Sequence, residues 1–219
     1  MRVELDAAAG AAYYSRASLL AYDLWVLGLS NRYAWQCPTE TLLQHFHSHV
    51  GPRHLDIGVG TGYLLDHCQF PVANPQIVLA DFNAASLAAA SHRIRHLHPV
   101  THQLNVLEPF KLPEAPFDSV SMNYLLHCLP GSFADKSPAV AHATAQLKRG
   151  GVLFGATILG DGVTHNALGG ILMRVYNRQG IFSNRQDSAD ALQQMLELHL
   201  KNIKLRIVGR VALFSGKRR

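Results

Sequence analysis

Charge is scarce in this chain: Asp, Glu, Lys and Arg make up 16% of its 219 residues, against 48% hydrophobic residues. That balance excludes a disordered chain, which combines low hydrophobicity with many charges. Cysteine is scarce too. Cys37, Cys68 and Cys128 are odd in number, far apart and never in C-x-x-C spacing, which argues against a disulfide framework and a cysteine-based zinc site. No apolar run approaches the length of a bilayer span. Met1 to Asp6 alternate in charge and carry no apolar segment. The sequence therefore predicts no secretory leader, no membrane span and a reducing cytoplasm as the compartment. Basic residues outnumber acidic ones, for a formal net charge of +5. They are scattered, apart from Lys148-Arg149 and Lys217-Arg218-Arg219, and a scattered excess is a solvated surface, so no nucleic-acid partner is expected.

A chain of this length makes one domain that buries about 70% of its unfolded surface. Within it, Arg53-His54-Leu55-Asp56-Ile57-Gly58-Val59-Gly60-Thr61-Gly62 reads as a short apolar strand that ends in an acid and opens into three alternate glycines. A helix-like run follows from Tyr63 to Cys68. Strand, glycine turn and helix together cradle a nucleotide-like ligand, because glycine admits positive φ and close approach of backbone. Dinucleotide dehydrogenases carry G-x-G-x-x-G. Here the order is Asp-x-Gly-x-Gly-x-Gly, with Tyr63 where the third dehydrogenase glycine would stand.

Further strands are predicted over residues 76–80, 100–106, 119–122, 152–157, 203–208 and 211–214, with helical stretches between each of the first five strands. Residues 84–98 form an Ala-rich helix that ends before Pro99. Residues 137–147 form another, capped by Gly150-Gly151. Such alternation predicts an α/β fold, a Rossmann-like doubly wound sheet of seven strands. It is mostly parallel, with an antiparallel C-terminal hairpin turning at Gly209-Arg210. Before the first strand, residues 11–29 carry apolar side chains at helical spacing, and a helix capped by Thr39 runs to about His49. Asp187 or Ser188 caps a helix to about Leu200, and residues 167–176 form an amphipathic run. The expected division is a helical lid over residues 1–50, a ligand-binding core over 51–160, an acceptor-side insertion over 161–186, and a last helix with the hairpin over 187–219.

The Asp56–Gly62 pattern resembles motif I of the class I S-adenosylmethionine-dependent methyltransferases, and the likeness extends from about Tyr22 to Lys217. Asp81, after the second strand, matches the ribose-binding acid of motif II. Asn105-Val106 matches the adenine-edge position of motif III, where the family commonly has aspartate; the amide oxygen of asparagine still accepts a hydrogen bond. Lys148-Arg149-Gly150-Gly151 resembles the basic turn before the fifth strand. The run from Tyr22-Asp23-Leu24 to Trp35 is similar to the N-terminal part of ubiquinone/menaquinone-type methyltransferases. The resemblance implies S-adenosyl-L-methionine as cofactor, held by Tyr22, Asp56, Gly58, Gly60, Gly62, Asp81, Phe82, Asn105, Val106 and Asn123. It implies methyl transfer to a small, apolar or aromatic molecule, of the quinone-precursor or secondary-metabolite kind. Asn123-Tyr124 lacks the N/D-P-P-Y/F arrangement of amide and base methylation. Tyr14, Trp25, Leu168, Ile171 and Tyr176 are expected to wall the acceptor. The sequence allows a homodimer.

The 13 histidines are unusual. His45 and His49 lie one helical turn apart, yet no carboxylate or cysteine converges on them, so a solvated helix face and no metal site are expected. His127 follows the fourth strand, where a side chain can face the methyl donor and take a proton from a hydroxyl or amine. Packing under the following loop is the equal alternative. Tyr14 and His165 are further base candidates. Three other activities stay open on residues alone: a cyclisation or elimination on the same cofactor, an NAD(P)-linked oxidoreduction, and cofactor binding without turnover.

Overall fold

The computed structural model describes residues 23–219, with side chains from Leu27 onward. Seven strands form one sheet: β1 (Arg53–Ile57), β2 (Gln76–Asp81), β3 (Val100–Gln103), β4 (Phe117–Asn123), β5 (Leu147–Ile158), β6 (Leu200–Val208) and β7 (Val211–Arg218). Their order is β3-β2-β1-β4-β5-β7-β6. The first five are parallel; β7 is antiparallel to both β5 and β6. The expected fold class is what is found. Strand order reverses between β1 and β4, and the crevice beyond the carboxyl ends of those two strands is where open α/β sheets bind ligands.

Among the described residues, six α-helices flank the sheet: α1 (Thr39–His47), α2 (Tyr63–His67), α3 (Ala84–Arg93), α4 (Phe133–Ala145), α5 (Ala167–Arg178) and α6 (Ala189–His199). A π-type helix, Asp23–Ala34, precedes them. Central strands are covered on both faces, so they read as unbroken apolar runs. Leu55, Ile57, Val120 and Leu153 pack under α4 and α6 through Val140, Ala143, Leu192 and Leu196. Ile77, Leu79 and Phe154 pack on the other face against Phe46 of α1, Leu65 of α2 and Ala90 of α3.

Local boundaries differ from the sequence expectations for identifiable reasons. No helix joins β3 to β4; residues 104–116 run as turns, because Pro109, Pro113 and Pro116 remove donors and restrict the residues before them. β3 ends at Gln103, so Asn105 stands beyond the strand. The helix expected from Ser137 begins at Phe133, set by a capping box between Ser132 and Asp135 that places Pro138 in the second turn. Gly150-Gly151 do not cap it. They lie in β5, where pairing jumps from Phe117↔Leu147 to Ser119↔Val152 and Gly150 takes φ +75°, a bulge of the kind that needs glycine. Thr39 does not cap α1; its hydroxyl donates to Leu27 O and accepts from Asn31 Nδ2 at 2.9 Å. Ser188, not Asp187, caps α6, accepting from the Ala191 N–H at 3.2 Å. The N-terminal helix expected over 11–29 falls largely outside the described residues.

Candidate active site

The glycine loop leaves β1 through a turn that only glycine makes easily. Gly58, Gly60 and Gly62 have φ of +78°, +52° and +74°, in the region where a Cβ is disfavoured. Gly58 N–H donates to Ala80 O at 2.9 Å, and Gly62 N–H closes the loop on Val59 O at 2.9 Å. A Cβ on Gly60 would meet nothing within 4 Å, whereas one on Gly62 would meet Ala90 of α3 at about 3 Å. Gly60 therefore faces open space and Gly62 seats α2 against α3. Gly62 thus does the helix packing that the third glycine of G-x-G-x-x-G does in dinucleotide dehydrogenases.

The loop forms one wall of a solvent-open cavity at the carboxyl ends of β1, β2 and β4, where open α/β sheets bind ligands. Asp56, Gly58, Gly60, Asp81, Phe82, Asn105, Val106 and Asn123 all line it. Gly62 does not, for the reason just given. Tyr14 and Tyr22 lie outside the described residues. His127 is not brought to the cavity either. It is 2% exposed, and its Nδ1 accepts from the Ile158 N–H at 3.3 Å. Phe182 packs edge-on to its ring at 4.5 Å. Burial and the nearby Lys136 push its pKa down to about 3. This is the packing role that the sequence allowed as the alternative. His165 sits edge-on to Trp35 at 6.4 Å, away from the cavity lining.

The acceptor-side walls also differ from expectation. Leu168 and Ile171 are exposed, 38% and 47%, and Tyr176 packs on Phe182. None of the three lines the cavity; Leu27, Leu42, Leu64, Tyr124, Leu129 and Ile181 do. Tyr124 holds φ +55°, and its hydroxyl donates to Asn31 Oδ1 at 2.8 Å, tying the π-type helix to the turn after β4. His45 and His49 are not a solvated face. His49 stacks on Phe154 at 5.4 Å, and His45 Nε2 meets Phe214 O at 3.0 Å. No group of three or more His, Cys, Asp or Glu converges as a metal site among the described residues.

The polar lining is concentrated at three strand ends. Asp81 Oδ1 accepts from the Asn83 N–H at 2.8 Å. Burial raises its pKa, against backbone N–H groups of Asn83, Val59, Gly60 and Phe82 that lower it. Asp56 is 6% exposed. Burial pushes its carboxyl up to about 7, the Ser121 hydroxyl opposes that, and the Asp81 charge adds to it. Asn123 Oδ1 and Nδ2 are both buried without a protein partner, so the wall carries an acceptor and a donor free for a polar ligand. Asn105 Oδ1 accepts from the Leu107 N–H at 3.1 Å and keeps a second lone pair. Phe82 is 41% exposed at the rim. Thr61, Ser86 and Leu104 also line the cavity and carried no signal of their own in the sequence.

Comparison with known proteins agrees with this geometry. The family model described as a methyltransferase domain matches residues 55–153. The chain is 42% identical over 207 residues to demethylluteothin O-methyltransferase of Streptomyces thioluteus, covering 94% of this chain and 90% of that one. It is 49% identical over 195 residues to the putative uncharacterized protein YbcY of Escherichia coli, covering 87% and 98%. Among solved structures, the N-methyltransferase NodS of Bradyrhizobium japonicum in complex with S-adenosyl-l-homocysteine superposes with a TM-score of 0.60. That pair shares 15% identity over 92% of this chain and 97% of that one, which is a likeness of fold.

Proposed function

The chain belongs to the class I S-adenosylmethionine-dependent methyltransferases that act on small molecules, and from that premise we propose that it methylates the hydroxyl oxygen of an apolar phenol or enol. The observation that carries this reading is the cavity lining. Beyond the polar strand ends it is apolar, and among the described lining residues there is no histidine or lysine to serve as base. The Cys128 thiol at the wall is held up to about 12 by burial. An acceptor that ionises by itself suits such a site; an alkyl alcohol or an ammonium would need a base. The relative from Streptomyces thioluteus, named as an O-methyltransferase, supports oxygen as the methylated atom.

The cofactor supplies a methyl group already activated on a sulfonium. The chain's residues supply binding, alignment and a dry site. Asp81 would accept from the ribose hydroxyls, since a carboxylate can take two donors. Phe82, Asn105 and Val106 would meet the adenine. Asp56, Asn123 and the Gly58–Gly60 backbone would hold the charged amino-acid end. The acceptor oxygen lies on the side of Tyr124, Leu129 and Ile181, and its proton leaves to water before attack. The described part of the N-terminal segment, from residue 27 to 50, and residues 161–186 frame that side, within a single domain. Leu27, Leu42 and Ile181 support this as lining residues from those two segments.

His127 acts here through packing. His127→Asn keeps an acceptor for the Ile158 N–H and should leave turnover within a few-fold across pH. Loss of a general base would lower it by roughly 10²–10⁴-fold. The reading itself is tested by incubating the enzyme with S-adenosylmethionine and a panel of phenols, enols and alkyl amines. Products gaining one methyl on oxygen, with no product from the amines, are expected. Methylation of nitrogen alone, or consumption of acceptor without methyl gain, sinks it. The three thiols are free, which supports a reducing cytoplasm. The apolar cleft supports a small molecule as partner, with no nucleic acid. No helix among the described residues is long and apolar enough to cross a membrane. Exposed Ile171 and Val175 on α5 support a homodimer, which sedimentation would test.

A further inference from the structure

Behind Asp56 lies a chain of buried polar groups that the methyl-transfer chemistry does not call for. β1 and β4 are parallel neighbours in the register His54↔Ser119 and Asp56↔Ser121. The four side chains therefore share one face of the sheet. Gly51 N–H donates to Ser119 Oγ at 2.7 Å. Ser119 Oγ lies 2.8 Å from His54 Nδ1, and His54 Nε2 lies 3.0 Å from Ser121 Oγ. The Ser121 hydroxyl donates to Asp56 Oδ1. His54 is wholly buried, with Phe46 edge-on at 5.3 Å and Phe154 stacked at 5.8 Å. The ring cannot tilt without displacing two aromatic side chains.

The direction of every bond follows from the chemistry of its ends. An ionised Asp56 only accepts, so the single hydroxyl proton of Ser121 points at it. Ser121 Oγ can then only accept from His54, which places the ring proton on Nε2. A neutral ring with Nε2–H has a bare Nδ1, which accepts from the Ser119 hydroxyl. Gly51, which can only donate, closes the chain. Four donors in series all point toward one carboxylate, and such chains polarise one another. Ser121 is spent on Asp56, so the Ser–His–Asp set is no nucleophilic triad.

We propose that His54 is a positioning residue for the cofactor: acting through Ser121, it fixes the Asp56 carboxylate, ionised and in one rotamer, as the acceptor for the cationic amino-acid end of S-adenosylmethionine. This rests on the assignment of Asp56 made above. The groups facing Asp56 are His54 on its own strand, Ser121 from β4, Asp81 from β2 and Cys68 beyond α2. None is a cation, so the cofactor's ammonium is the charge that completes the site. Burial holds the free Asp56 carboxyl up to about 7 and the His54 ring down to about 3. The sign follows. Raised above its unfolded value, Asp56 costs the unliganded fold stability as pH rises from about 4 to 7. The ligand's ammonium favours the ionised form, so affinity should rise as pH increases from 5 to 8, and binding should release a proton below about pH 7 but not at pH 8.

Nitrogen-15 spectra of the unaltered protein test the tautomer directly. Nε2–H with bare Nδ1 is expected at pH 8, and inversion to Nδ1–H as Asp56 takes up a proton; Nδ1–H at pH 8 overturns the proposal. Calorimetric titration with S-adenosylhomocysteine across that pH range then compares four variants with the parent. His54→Phe keeps the aromatic packing and should weaken binding by about 10-fold, with a shifted pH midpoint. His54→Gln keeps a donor toward Ser121 and should restore much of the loss. Ser121→Ala should match His54→Phe. If His54→Phe and Ser121→Ala bind like the parent at every pH while Asp56→Asn binds weakly, the relay is wrong and the assignment of Asp56 stands. If Asp56→Asn also binds like the parent, that assignment has failed instead.

Discussion

Asp81→Ala is expected to weaken binding of S-adenosylhomocysteine by roughly 1.5–3 kcal/mol, about 10- to 150-fold, the range for a lost charged hydrogen bond. The loss should be this large because the carboxylate serves two partners at once. Its position at the end of β2 brings it against the glycine loop, where the N–H groups of Val59 and Gly60 lower its pKa, and into the cavity wall beside Phe82 and Asn83. Alanine removes the acceptor for the ribose hydroxyls and leaves loop N–H groups facing a methyl. The fold itself should lose little. α3 has its own cap, Asn83 Oδ1, which accepts from the Ala85 N–H at 2.8 Å. A thermal midpoint within a few degrees of the parent, with calorimetry showing weak or absent binding, is the expected pair of results. Parent-like affinity in a folded Asp81→Ala protein removes this carboxylate from the site. Asp81→Asn keeps an acceptor oxygen and should fall between the two.

Asp81 also shows which parts of the site the sequence made legible. A carboxylate or glycine at a strand end is placed by strand period and by turn chemistry alone, both local. Asp56, Asp81 and Asn123 could be read that way, and all line the cavity. His127 does not line the cavity, because position after β4 does not say which way a side chain turns. The turn takes φ +55° at Tyr124, which presents Tyr124 to the cavity, while His127 packs among Thr157, Ile158 and Phe182. Leu27 and Leu42 come from the N-terminal segment and Ile181 from a segment about 140 residues on, and no local pattern couples them. The relay behind Asp56 lies in between. His-x-Asp on β1 and Ser-x-Ser on β4 each alternate to one face, but their juxtaposition needs the register of two strands more than sixty residues apart.

Lys136→Met should destabilise the fold by about 3–5 kcal/mol, the cost of stranding one partner of a buried ion pair. In a domain of this size that lowers the thermal midpoint by roughly 6–20 °C. Lys136 and Asp187 have side-chain exposures of 0% and 1%. The ammonium donates to Asp187 Oδ2 and to Ser183 O, each at 2.7 Å, and lies 5.2 Å from the Phe133 ring centre. Burial pushes Asp187 up to about 6 and pulls Lys136 down, while their attraction opposes both shifts. Asp187 Oδ1 has no partner, so the pair is not fully compensated. Lys136→Met with Asp187→Leu should therefore recover most of the stability that either change alone removes, as expected when a buried pair gives way to apolar packing. Recovery of stability need not bring recovery of function. The ammonium also fixes Ser183, whose N–H donates to His127 O at 2.8 Å and whose hydroxyl accepts from the Gly131 N–H at 3.1 Å. The Asp187 carbonyl receives the N–H groups of Gly160 and Asp161. These bonds hold the segment that carries Ile181 against the acceptor side of the cavity. The double variant should melt near the parent temperature and bind S-adenosylhomocysteine normally, yet show a raised KM for the acceptor. A double variant with parent KM would make the ion pair a matter of folding alone; one as unstable as Lys136→Met would show that the pair contributes net stability where it lies.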